Sequence, residues 1–141
     1  MSDDTNMVET VQYLQERSQN IERYSDKLRE EVQKFSKFFA SISKKNGLTF
    51  YACEWNIPHD EEYHAFALAK PWEGIYVVES TYCPDHPFNV ICLIGNAKKS
   101  TIVRFVQNLG TFLAKYAEKV GPHEELLKET VERIEKINTS L

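Results

Sequence analysis

Residues 7–46 contain neither glycine nor proline, so nothing in that stretch interrupts a helix. Counting in alternating steps of four and three from Met7 picks out Val11, Leu14, Ser18, Ile21, Ser25, Leu28, Val32, Phe35, Phe39 and Ile42, and nine of these eleven positions are apolar. Steps that average 3.5 residues are the signature of a coiled-coil seam. The 36 residues from Met7 to Ile42 would make a helix about 54 Å long at about 1.5 Å per residue. Asn46-Gly47 supplies the stop, because glycine tolerates the left-handed geometry that follows a helix.

A helix of that length exceeds the width of the remaining chain, whose 96 residues (46–141) should form a body roughly 26 Å across. Part of the helix must project, and a projecting seam needs a partner. The alternative is an amphipathic helix laid wholly on its own domain. The seam predicts contacts with another chain through Val11, Leu14, Ile21, Leu28, Val32 and Phe35, in a homodimer or a heterodimer. Ser18 and Ser25 weaken it, and Arg17 and Glu22 are placed to pair between parallel helices. Near the end, Phe35, Phe38, Phe39 and Ile42 widen the apolar face, so this end is expected to pack on the globular part.

After Gly47 the pattern alternates. The runs 48–56, 63–69, 75–82 and 89–95 read as strands, separated by the turns "IPHDEE", "KPWEG" and "CPDHPF". Connections this short predict a four-stranded antiparallel meander. From Lys98 the period becomes helical. Ile102, Val106, Leu109, Leu113, Tyr116 and Val120 share a face, with Phe105 and Phe112 beside them, and that face is expected to cover the sheet. Gly110 is a mild defect inside this helix. Gly121-Pro122 is expected to end it and start a last helix, with Glu124 and Glu125 at its positive start and Leu127, Val131, Ile134 and Ile137 on one stripe. The expected class is therefore α+β: a long N-terminal coiled-coil helix (1–45), then a head (46–141) of four strands and two C-terminal helices.

Charge bears on partners. Residues 46–97 carry one lysine and seven acids, whereas the flanking segments are neutral or slightly basic. Such a middle repels phosphate, which argues against nucleic acid and for a basic peptide or protein partner. In a meander the first and third turns lie at one end, so Asp60, Glu61, Glu62 and Asp85 should form an acidic docking edge, with Trp55, His59 and His86 near it. The same charges would also serve solubility alone. No apolar run approaches membrane-spanning length, and no membrane partner is expected. The polar, acidic start "MSDDTNMVET" does not read as a secretory signal. Three cysteines, an odd number, fit reduced thiols in an intracellular compartment.

No cofactor or metal is expected. Structural zinc takes four Cys or His, commonly as two close pairs, and of Cys53, His59, His64, Cys83, His86 and Cys92 only Cys83 and His86 form such a pair. Phosphate-loop and His-Glu-x-x-His patterns are missing. The stretch "HPFNVICL" (86–93) is similar to the His-Pro-Asn and Ile-Cys-Leu segments of ubiquitin-conjugating enzymes. In that family, however, a strand separates the proline turn from the His-Pro-Asn segment, and here they are one. Cys92 alternates with Val90 and Ile94 and is expected in the core, where a thiol is a poor nucleophile. The chain is therefore read as no enzyme. A degenerate conjugating protein, or a cofactor for ubiquitin-like modification, is one alternative, and a stand-alone small α+β protein of bacterial, archaeal or viral origin is another.

"YCPDHP" (82–87) resembles the Tyr-Pro-x-x-x-Pro turn before the fourth strand of the RWD domain, the non-catalytic relative of the conjugating enzymes. A coiled coil running directly into an RWD head resembles the globular-head subunits of the kinetochore microtubule-coupling complex and their inner-kinetochore relatives. That resemblance implies a scaffold subunit in chromosome segregation at the centromere. Its coil would pair two different subunits as a heterodimer with their heads packed together, its head would dock a helical or basic peptide, and its location would be the nucleus.

Overall fold

The structure is a computed structural model. It describes the backbone at residues 3–56, 63–70, 74–80 and 88–141, and side chains at 3–50, 74–78 and 90–141. The architecture is α+β: a long N-terminal helix, an antiparallel sheet and C-terminal helices.

Helix α1 runs unbroken from Asp3 to Asn46. Asp3 and Asp4 sit in its first turn and Lys44 and Lys45 in its last, matching the helix dipole at both ends. Gly47 then turns the chain at φ 66°, and its N–H donates to the Ser43 carbonyl (2.9 Å), so the stop lies where the sequence placed it. Strands β1 (Phe50–Asn56), β2 (Tyr63–Lys70), β3 (Gly74–Ser80) and β4 (Phe88–Leu93) follow. They pair antiparallel, β1 with β2, β2 with β3 and β3 with β4. The segments joining them (57–62, 71–73 and 81–87) lie outside the described residues. In the β3–β4 pair, Tyr76 faces Leu93 and Val77 faces Cys92, and a bulge separates Val77 from Val78.

A short 3-10 turn, Ile94–Asn96, leads to helix α2 (Lys99–Gln107) and helix α3 (Leu109–Ser140). Here the structure departs from the expected boundaries. The break falls at Asn108, whose φ −107° and ψ 8° leave the helical region. Its side-chain Nδ2 donates to the Arg104 carbonyl (2.9 Å), the local competition that makes asparagine a poor helix-interior residue. By contrast α3 passes straight through Gly121-Pro122. A proline there removes one N–H and displaces the carbonyl four residues back. That residue, Glu118, is exposed, so water can satisfy its carbonyl. Glu124 and Glu125 consequently lie inside α3, not at a helix start.

The core joins Val32 and Phe39 of α1 to Phe50, Ile75, Val77, Ile94, Ala97, Ile102, Phe105, Phe112 and Tyr116. An aromatic cluster welds α1 to α3. The Phe39 ring lies 4.9 Å from Tyr116 and 5.6 Å from Phe112, and Phe50 contacts the same two rings. Asn46 closes this end, its Nδ2 donating to the Tyr116 hydroxyl (3.0 Å). On α2 and α3 the buried stripe is Ile102, Phe105, Phe112 and Tyr116, while Val106 and Leu113 stay exposed. The two phenylalanines therefore lead that face instead of flanking it. Phe38, expected inward, is 62% exposed.

Candidate interaction surfaces

The seam on α1 is divided in two. From Leu28 onward it is covered by the chain's own head. Val32 is buried, and Leu28, Phe35 and Ile42 are half-buried against the core. Val32 is thus unavailable to a second chain, a correction to its expected place in an interchain seam. Towards the N-terminus nothing among the described residues covers the same stripe: Met7, Val11, Leu14 and Ile21 are each 54–60% exposed.

Arg29 marks the boundary. Its Nη1 donates to the carbonyls of Gly95 (2.7 Å) and Ala97 (2.9 Å), so the 3-10 turn and the start of α2 seat against α1 one residue after Leu28. Gln33 adds a longer bond to the Gly95 carbonyl (3.4 Å). Glycine is needed at 95 for space, since a Cβ there would lie 2.3 Å from Gln33 Cγ. Ser36 makes the second seat. Its buried Oγ accepts the Ile75 N–H (3.2 Å), and a Cβ on the neighbouring Gly74 (φ 108°) would come within 2.8 Å of that oxygen. The sequence reading passed over Ser36 and Ser43. The available signal was their seven-residue spacing beside Phe35 and Ile42, which places small side chains where a strand approaches the helix. Between the two seats, Gln33, Lys37 and Ala40 of α1 and Leu93, Gly95 and Asn96 line an open cleft of about 460 Å³.

The C-terminal half of α3 forms a second arm. Leu127, Val131, Ile134 and Ile137, the stripe read from the sequence, are each about half exposed. The arm leaves the head just after Val120, near the Asn46–Tyr116 contact. Arg29 and Asn46 are separated by 17 residues of α1, about 25 Å of helix, so the two arms depart from different ends of the packed half of α1.

Other expected site residues fare differently. Asp60, Glu61, Glu62 and Asp85, the expected acidic edge, lie outside the described residues, as do His59, Cys83 and His86. The side chains of Cys53, Trp55 and His64 also fall outside them. Among the described residues, no three His, Cys, Asp or Glu side chains converge as metal ligands, and no helix is long and apolar enough to cross a membrane. Cys92 is half-buried and packs against the core with Ile94, whereas Val90 is exposed. The bulge at Val77/Val78 breaks the expected alternation of these three residues. Burial pushes the Cys92 thiol above its ordinary pKa, and the Arg29 guanidinium opposes part of that rise.

Compared with protein-family models, curated proteins and solved structures, the chain matches none.

Proposed function

We propose that this chain is a non-catalytic interaction subunit that pairs with another protein chain through the exposed half of α1 and presents its α+β head to a further partner. The observation that carries this reading is the divided seam. One continuous helix repeats the same apolar spacing throughout, buries it on its own head from Val32, and leaves Met7, Val11, Leu14 and Ile21 uncovered. Exposed apolar side chains regularly spaced over about 20 Å of rigid helix are a surface for another helix.

The finer reading of the head is an RWD-like four-stranded meander. Its acidic turns, with Asp60, Glu61, Glu62 and Asp85, would dock a basic peptide. The setting that the combination of coil and head supports best is a scaffold complex of the kinetochore, in the nucleus, acting in chromosome segregation.

The test is affinity purification of the full chain from its native source, followed by sedimentation of the purified material. Pairing predicts a stoichiometric assembly. Ile21→Asp, which places a charge on the arm, should dissolve that assembly and leave the head folded. A chain that sediments as a monomer both alone and with its co-purifying proteins would refute the reading. Head docking has its own readout. Reversing Glu61 and Glu62 to Lys should weaken a basic partner and leave the pairing through the arm intact.

A further inference from the structure

Resting on that reading of the arm, we infer that its occupant is a second copy of the same chain, lying antiparallel, with Leu14 beside the second copy's Ser18, Val11 beside its Ile21 and Met7 beside its Ser25.

The first argument is steric. Helix α1 has no break between Asp3 and Asn46 and contains no glycine or proline. The face that carries the exposed stripe also carries Val32 and Phe39, which are 5% and 2% exposed because the head covers them. A parallel partner helix would follow this face straight into the head at Arg29, where Gly95 and Ala97 are already seated. Packed helices lie about 8–10 Å apart, and an unbroken helix cannot swing clear of the head within one turn. An antiparallel partner runs the other way: in the stated register the described part of its helix meets the shoulder with its first turn, Asp4 opposite Leu28 and Asp3 opposite Arg29, instead of following the covered half from Val32 to Phe39.

The second argument is packing. A parallel, in-register pair would set Ser18 against Ser18 and Ser25 against Ser25, two thin layers in a short seam. The antiparallel register sets each serine against a large side chain and places the two largest β-branched residues of the arm's seam, Val11 and Ile21, together. Alternation of large and small residues is what fills a helix interface. Ser25 can face Met7 without an unsatisfied group, because its Oγ already donates to the Ile21 carbonyl (2.7 Å).

The third argument is charge. The register brings Asp3 and Asp4, in the first turn of one copy, to the shoulder of the other, where the exposed Lys98 and Lys99 follow directly on Ala97. It forgoes the Arg17–Glu22 pairing of a parallel coil and sets the two Arg17 side chains on one side. Each Arg17 already has an ion partner on its own helix, Glu16 at 3.0 Å. Exposed ion pairs contribute little to association, so the covered face decides the orientation.

The experiment mixes full-length Met7→Cys and Ser25→Cys chains under mild oxidation and locates the cross-links by peptide mass mapping, which separates them from links through the native cysteines. Both positions lie on the arm outside the head, so both variants keep the folded head. The expected product joins position 7 of one copy to position 25 of the other, and the Ser25→Cys chain alone gives no link between its two introduced thiols. A link from 25 to 25, or from 7 to 7, would overturn the antiparallel register. Sedimentation of the unmodified chain supplies the second reading. A dimer supports a second copy. A monomer that becomes a complex only with a different co-purified protein overturns this inference and leaves pairing through the arm standing. A monomer under both conditions removes both.

Discussion

Arg29 Nη1 lies 2.7 Å from the carbonyl oxygen of Gly95, and this contact marks where one helix changes its task. Up to Ile21 the apolar stripe of α1 is bare; from Leu28 onward it packs on the core. A hydrogen bond from a charged donor contributes about 1.5–3 kcal/mol. Arg29→Ala should therefore lower head stability by about 2 kcal/mol in urea unfolding, with Arg29→Lys recovering part of that. No loss in Arg29→Ala would mean that the shoulder is held by apolar contacts alone.

Gly74 and Gly47 form a matched pair for testing the second seat. Both have positive φ, 108° and 66°, but only Gly74 has a neighbour in the way, Ser36 Oγ at 2.8 Å from a built Cβ. Gly47→Ala should cost about 1–2 kcal/mol from backbone strain alone. Gly74→Ala should cost more, because strain and the clash with Ser36 add. Ser36→Gly in the Gly74→Ala background should return part of the difference. Equal losses at the two glycines would show that the approach of β3 to α1 is looser than described.

Helix α1 should respond to substitution differently along its length. Phe39, 2% exposed and packed edge-on to Tyr116 and tilted against Phe112, should cost about 3–5 kcal/mol when changed to alanine. Ile21→Asp and Leu127→Asp, on the two arms, should leave the unfolding free energy of the head within about 0.5 kcal/mol of the unmodified chain. Comparable losses at Ile21 and Phe39 would mean that the arm folds back on the head.

Much of this division was legible in the sequence, and the reasons for the gaps are specific. The 3.5-residue spacing and Asn46-Gly47 placed α1 and its stop. Periodicity reports that a face is apolar and is silent on what covers it, so Val32 and Val11 read alike although one is buried at 5% and the other is 60% exposed. Gly121-Pro122 looked the stronger helix breaker, yet an exposed helix tolerates a proline whose freed carbonyl meets water. Asn108 broke the helix by bonding its own backbone. The β3–β4 bulge undid a strict period of two, separating Val90 from Cys92 and Ile94. Ser36 was missed because a serine that accepts a strand's N–H looks, in sequence, like any surface serine.

Cys92 gives a prediction in pH. Burial raises its pKa above the ordinary thiol value, and the Arg29 guanidinium opposes part of the rise. Alkylation of Cys92 in the folded chain, followed by peptide mass mapping, should therefore need a higher pH than a free thiol requires. In Arg29→Ala the midpoint should move higher still while the head stays folded. The sign for stability follows. The folded chain holds this proton more tightly than the unfolded chain, so the contribution is intact below the ordinary thiol pKa and is lost as pH rises through the folded value. A midpoint below that of a free thiol would mark Cys92 as an activated nucleophile and reopen the catalytic reading.

The most direct measurement is sedimentation velocity on the full chain at micromolar concentration, beside Ile21→Asp and together with whatever protein co-purifies. Pairing through the arm predicts a boundary at twice the chain's 16.4 kDa, or at the mass of a one-to-one complex with the co-purifying protein, and a return to the monomer in Ile21→Asp with unchanged circular dichroism from the head. A single boundary at the monomer mass in every case would leave Met7, Val11, Leu14 and Ile21 as a bare stripe on a lone helix and contradict the role proposed for them.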